Sequence, residues 1–256
     1  MNQLLAGKKF LIMGVANDRS IAWAIAKQLH ESGATLAFSY QGDRLESRVT
    51  KLVEATMPGS TMVQVDVTRD DEVAGAFALL KEQWGTMDGL VHSLAFAKTE
   101  ELEGNFVDTS REGYLLAQDI SAFSLVACSR YAKDMMPDGG TIITMTYLGG
   151  ERVVGNYNVM GVAKAALDQS VRYLAADLGA QNIRVNAISA GPINTLAARG
   201  VKNFTSILPQ VAEKSPLKRN ITQEEVAKTA LFLASDLSSG ITGEIIHVDA
   251  GYHIMG

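Results

Sequence analysis

Cysteine is almost missing from this sequence. Cys128 is the single one in 256 residues, so no disulfide forms within the chain. Histidine is scarce as well: His30, His92, His247 and His253 are scattered, which argues against a Cys/His metal cluster. One free cysteine fits a reducing compartment, and the chain is expected in the cytoplasm. No apolar stretch approaches the ~20 residues that a membrane-spanning helix needs. Lys8-Lys9 and the apolar run to Ala16 superficially resemble the start of a signal peptide, but Asn17-Asp18-Arg19 ends the run and no small-residue cleavage site follows. An excess of positive charge is also lacking. Lys+Arg 23 against Asp+Glu 28 leaves a net −5, which is not the footprint of a nucleic-acid binder. Repeats, low-complexity tracts and linkers are absent.

What is present is a core. Hydrophobic residues make up 47% and charged residues 20%, which argues against disorder. Short apolar runs read as strands at 9–13, 35–40, 61–65, 89–93, 141–146, 183–189 and 245–248. Helical periodicity falls between them, at 20–32, 43–55, 70–84, 109–133 and 156–178, with a further short helix after Thr222. Ile21, Ile25 and Leu29 mark the buried face of the first helix, and Gly33 stops it. Thr109 with Glu112, and Thr222 with Glu225, read as capping boxes. This alternation predicts an α/β fold: one Rossmann-like, doubly wound parallel sheet of about seven strands flanked by helices, as a single domain over 1–256. The least regular stretch, 191–221, is expected to be a mobile substrate lid.

Candidate chemistry collects after the strands, at the carboxyl edge where open α/β sheets bind ligands. The first strand runs into Gly14-Val15-Ala16-Asn17-Asp18-Arg19-Ser20-Ile21, where a dinucleotide pyrophosphate would meet a helix start. A full GxGxxG is missing, and Gly14 and Ser20 also suit a plain tight turn and a helix cap. Gln41 follows the second strand. Asp66 and Val67 follow the third, where the carboxylate either accepts from an adenine amine or caps the next helix. His92-Ser93-Leu94-Ala95 follows the fourth; His92 reads as satisfied by backbone rather than catalytic. Tyr147 follows the fifth. Tyr157 and Lys164 lie two helical turns apart on one face. A phenol beside an ammonium is expected to have its pKa lowered toward neutrality, as in general acid chemistry. The bland alternative is a packed tyrosine and a surface lysine. Cys128, Trp23 and Trp84 read as packing, and most of the methionines as core or interface filler.

Taken together, several longer stretches resemble a known family. They are Ile12-Met13-Gly14-Val15-Ala16-Asn17 with Arg19-Ser20-Ile21-Ala22, His92 to Ala97, Thr109 to Gly113, Gln118-Asp119-Ile120-Ser121, Tyr147 to Glu151, Asn156 to Lys164, Arg184 to Ile193, Ser235 to Ser238, and His247-Val248-Asp249. Over essentially its whole length the chain resembles the short-chain dehydrogenase/reductases, and within them the NADH-type enoyl-[acyl-carrier-protein] reductases of bacterial fatty acid synthesis. It departs from ordinary members in sharing that branch's Tyr-x6-Lys, with Met160 where a Tyr-x3-Lys tyrosine would stand, and in having His92-Ser93-Leu94-Ala95 in place of NNAG.

The resemblance implies hydride transfer from NADH to the β-carbon of a trans-2-enoyl thioester. It implies Tyr157, Lys164 and Tyr147 as catalytic residues, with Tyr157 on the thioester oxygen, Lys164 on the nicotinamide ribose and Tyr147 ancillary. It places Gly14, Ser20, Ile21, Gln41, Asp66, Val67 and Leu94 on the adenine, ribose and pyrophosphate side. Ile193, Asn194, Thr195, Leu196 and Ala197 would cover the nicotinamide, and Ala97 would touch substrate. It also implies an acyl-carrier-protein partner, with Arg199 and Lys202 as docking candidates, and a homotetramer built on the two long helices through Phe123, Leu125 and Tyr173. Gln41 carries no charge and Asp43 would repel a 2′-phosphate, so NADH is expected over NADPH. A carbonyl reductase or a non-catalytic dinucleotide sensor stand as alternatives.

Overall fold

The computed structural model describes residues 3–196, 198 and 204–255. Its seven strands are β1 (Lys9–Met13), β2 (Thr35–Tyr40), β3 (Thr61–Gln64), β4 (Gly89–His92), β5 (Gly140–Thr146), β6 (Ile183–Ala190) and β7 (Ile245–Val248). They form one parallel sheet in the order β3-β2-β1-β4-β5-β6-β7. The central strands are apolar almost throughout because helices cover both faces. Alternate residues of β1 show the two layers. Phe10 and Ile12 pack with Trp23, Ile25 and Leu29 of α1 (Ile21–Glu31), Val49 and Val53 of α2 (Gly42–Thr56), and Val226 and Leu233 of α8 (Gln223–Ala234). Leu11 and Met13 pack with Phe77 and Leu80 of α3 (Asp70–Trp84), Leu125 and Cys128 of α5 (Ser124–Ala132), and Leu167 and Val171 of α6 (Asn158–Leu178). Trp23, Trp84 and Cys128 are packing residues, as expected. The strand order reverses between β1 and β4, which places a crevice at their carboxyl ends.

Three details differ from the sequence reading. The expected helix 109–133 is two helices, α4 (Arg111–Gln118) and α5, joined by a single π turn at Asp119–Phe123. Its cap is Ser110, not Thr109: Ser110 Oγ accepts the Gly113 N–H at 3.0 Å. Glu112 is drawn off to Lys98 at 2.5 Å, and Glu101 takes the reciprocal role by accepting the Ser110 N–H at 3.1 Å. Sequence spacing could not reveal this, because the second half of the box comes from another segment. A Cβ on Gly113 would lie 2.3 Å from Glu101, so glycine leaves room for that carboxylate. The helix expected from Asn156 starts at Asn158, because Asn156 has a φ of +58°, outside the helical region. The Thr222/Glu225 box forms as expected. The irregular stretch 191–221 holds α7 (Phe204–Lys214).

Candidate active site

At the carboxyl edge, Gly14 has φ +99° and a Cβ there would sit 2.0 Å from the Ser93 carbonyl oxygen. Only glycine lets the β1–α1 turn press against the β4 loop in this way. Ser20 stands at the start of α1 but does not cap it with its side chain. Its Oγ accepts the N–H groups of Ala16 at 3.0 Å and Asn17 at 3.1 Å, which shapes the turn. The first turn of α1, with Ile21 at its head, carries no acidic residue. No side chain of that turn therefore competes with an anion for its leading N–H groups.

Gln41 and Asp66 meet at the far side of the crevice, where Gln41 Nε2 donates to Asp66 Oδ2 at 2.8 Å. Asp66 does not cap α3. Its Oδ1 instead accepts from the backbone and hydroxyl of Thr68 at 3.0 and 2.7 Å. Burial raises its pKa, but the bonds from Thr68 and Gln41 together outweigh this and hold the carboxyl below the usual range. Val67 and Leu94 pack on the same apolar layer below.

The catalytic candidates converge beyond β5. The rings of Tyr147 and Tyr157 meet edge to face, with centroids 5.2 Å apart. A Cβ on Gly149 would lie 2.4 Å from the Tyr157 ring, so glycine lets the loop after β5 close over it. Ala97 and Tyr157 pack against one small cluster of Leu102, Ala117, Val159, Met160 and Ala163, which brings the expected substrate contact beside the phenol. Met160 is buried there. Lys164, on α6, is 5% exposed and donates from Nζ to the Met145 carbonyl at 2.8 Å, leaving two N–H donors.

The expectation that Lys164 lowers the Tyr157 pKa is overturned. Burial, reinforced by Tyr147 and Asp168, pushes the Tyr157 phenol far up, and burial likewise raises Tyr147 to about 12. Desolvation draws Lys164 down to about 8, against the field of Asp168. No lowering influence from the ammonium reaches the ring against this desolvation, and Tyr157 is a neutral O–H donor.

His92 is satisfied by side chains rather than backbone. Its Nδ1 lies 3.0 Å from Thr144 Oγ1 and its Nε2 lies 2.8 Å from Ser124 Oγ. Complete burial, helped by the Lys164 charge, lowers its pKa to about 3 and keeps it neutral. Ser124 and Ser121 were not singled out as site residues in the sequence. The π turn sets Ser121 against the loop after β4, with Ser121 Oγ accepting the Phe96 N–H at 3.0 Å and donating to the Phe96 carbonyl at 3.1 Å, while Ser124 at the start of α5 meets His92 on β4. The available signal was the Asp119-Ile120-Ser121 run.

Ile193 packs on the core, and Thr195 Oγ1 accepts the Ala198 N–H at 3.1 Å to close a local turn. Asn194 and Leu196 are exposed on the same stretch. Ala197, Arg199 and Lys202 lie outside the described residues. A cleft of about 440 Å³ opens beside Tyr147, lined by Leu148, Ile207, Lys214 and Tyr252 among others.

The same sequence and geometry recur in known proteins. A family model described as enoyl-(acyl carrier protein) reductase matches residues 14–253. The NADH-type enoyl-[acyl-carrier-protein] reductase FabI of Bacillus cereus is 59% identical, over 99% of this chain and 100% of its own. The NADPH-type enzyme of Staphylococcus aureus strain MRSA252 is 55% identical, over 97% of this chain and 98% of its own. A crystal structure of the Bacillus cereus reductase with NADP+ and indole naphthyridinone superposes with a TM-score of 0.98 at 59% identity, covering 100% of both chains. Match to the family model over nearly the whole length, identity above half with full-length relatives, and the same seven-stranded sheet place this chain in the enoyl-(acyl carrier protein) reductase family of the short-chain dehydrogenase/reductases.

Proposed function

We propose that this protein reduces the trans-2 double bond of enoyl-acyl-carrier-protein thioesters in the elongation cycle of fatty acid synthesis, with NADH as the reductant. Tyr157 carries this reading: a half-buried, neutral phenol at the carboxyl edge, in Tyr-x6-Lys register with a buried Lys164. The residues present fit a dinucleotide, from the open helix start behind Gly14 and Ser20, through the paired Gln41 and Asp66, to the spare donors of Lys164. Bound NADH supplies the hydride that adds at the β-carbon.

Tyr157 donates its O–H to the thioester carbonyl oxygen, where negative charge accumulates as the β-carbon is reduced. A pre-aimed donor in a desolvated site stabilises that charge without reorganisation. Lys164 would hold the ribose hydroxyls with the N–H groups not given to the Met145 carbonyl and would set a positive field nearby. Tyr147 braces the Tyr157 ring and polarises the acyl group. Ala97 contacts the acyl chain. Ile193, Asn194, Thr195 and Leu196 would cover the nicotinamide, and the stretch 191–221 would serve as the lid, with Ile207 on the cleft wall.

NADH is favoured because Gln41, after β2, carries no charge and Asp43 beside it would repel a 2′-phosphate. The relatives include both NADH-type and NADPH-type enzymes. The chain acts in the cytoplasm as a homotetramer. Phe123 and Tyr173 are exposed at 45% and 68% and fit the subunit contact, whereas Leu125 is buried within the monomer and is removed from it. No helix among the described residues is long and apolar enough to cross a membrane. Loss of NADH absorbance with crotonyl-coenzyme A and not with acetoacetyl-coenzyme A is the expected result; turnover of the ketone alone would mark a carbonyl reductase. Lys164→Ala should weaken NADH binding by fluorescence titration as well as turnover.

A further inference from the structure

We propose that Asp168 is a positioning residue for this reaction, holding Lys164 in its cationic form so that it can bind the ribose hydroxyls. The inference rests on the cofactor role given to Lys164 above. Asp168 lies one helical turn beyond Lys164 on the same face of α6. It is 5% exposed, and its Oδ1 is buried with no hydrogen-bond partner. A carboxylate kept for structure alone would have its oxygens saturated, since an unsatisfied buried charge is costly. The chain instead builds space around it. A Cβ on Gly150 would lie 2.7 Å from Asp168 Oδ2 and 3.0 Å from the Lys164 carbonyl carbon, so glycine lets the loop after β5 close over this turn of α6.

The charged and titratable groups around the pair come from several elements. Burial raises the Asp168 pKa, opposed by the Thr146 hydroxyl at the end of β5 and by the charges of Lys164 and Arg172 on α6, while Glu151 in the loop after β5 adds to the rise. His92 on β4 feels the Lys164 charge, and Tyr157 feels the Asp168 charge. On Lys164 the field of Asp168 opposes desolvation. Burial brings Lys164 to about 8, so a modest change in that field decides how much of it is charged at working pH.

The test is a titration of Lys164 in cofactor-free protein by NMR of 13C-labelled lysine, together with the pH profile of kcat/KM for NADH, in wild type, D168N and D168E. Removing the carboxylate charge is expected to lower the Lys164 midpoint by about one pH unit. At pH 8 the cationic fraction would then fall from about one half to about one in eleven, a roughly fivefold loss in kcat/KM that vanishes near pH 6. D168E should recover most of the midpoint. A midpoint unchanged in D168N, or a loss equal at all pH values, overturns the proposal. The cofactor-free midpoint does not depend on where Lys164 binds NADH, so a failed ribose assignment would show separately, in normal NADH affinity of Lys164→Ala. Should D168N fail to fold, wild type decides: the Asp168 13Cγ resonance should step at the Lys164 midpoint, and a flat resonance across it overturns the coupling.

Discussion

Acidification should destabilise this fold through His92, by an amount that follows from its surroundings. The ring is fully buried between Thr144 and Ser124. Ser124 Oγ also lies 2.6 Å from the Ile120 carbonyl, and Thr144 Oγ1 lies 3.0 Å from the His92 carbonyl. Four contacts are thus shared by two hydroxyl protons and one ring N–H, so one hydroxyl must turn toward the unprotonated ring nitrogen. In the folded chain the pKa is about 3, against an ordinary value of 6.5. Between these values the unfolded chain binds the extra proton and the folded chain does not. Stability is therefore full above pH 6.5 and falls as pH drops toward 3. The loss is about 2 kcal/mol at pH 5 and reaches about 4 kcal/mol near pH 3. Urea midpoints at pH 7.5 and 5.0, at one protein concentration, should be measured for wild type and His92→Gln. Wild type should lose about 2 kcal/mol more than the variant over that interval. Equal losses would refute the buried neutral imidazole.

Tyr157→Phe removes the donor at the developing negative charge and should lower kcat by about 10²–10³ with NADH affinity nearly unchanged; an unchanged kcat would remove Tyr157 from the chemistry. The kcat/KM for NADH should exceed that for NADPH by roughly one to two orders of magnitude, the value of one missing charge-assisted bond to the 2′-phosphate. Equal values would mean that a cation such as Arg44 reaches it. Ser110→Ala removes the cap of α4 and should cost about 1 kcal/mol, a drop in Tm of about 2–4 °C by thermal scan, while Thr109→Ala should cost less. Hydrogen exchange over 191–221 should slow when NAD and an acyl analogue are added together; unchanged protection would dismiss the lid.

Much of the fold was legible in the chain because buried parallel strands and their helices write their own periodicity. A short apolar run can belong to a strand or to a buried helix, and its flanks decide. Lys9–Met13 lies between Gly7 and Gly14, and Ile245–Val248 between Gly243 and Gly251, all four with positive φ, so neither run extends into a helix. The candidate site was legible for a related reason: its residues sit just after strands, and a doubly wound sheet sends all those ends to one edge. Tyr147, Tyr157, Lys164 and Ala97 could be nominated from motif and position, and their neighbourhood could not.

What the sequence by itself determined was the order and type of the elements, the parallel sheet, and the residues at its carboxyl edge, all consequences of short-range pattern. Tertiary structure alone decided how those residues behave. It drew Glu112 to Lys98 and supplied Glu101 to the Ser110 cap. It gave His92 two hydroxyl partners from β5 and α5. It kept the Tyr157 phenol protonated by desolvating it against the Tyr147 ring. Each of these depends on which groups share a desolvated space, and burial acts on charge through neighbours distant in sequence that no local pattern names.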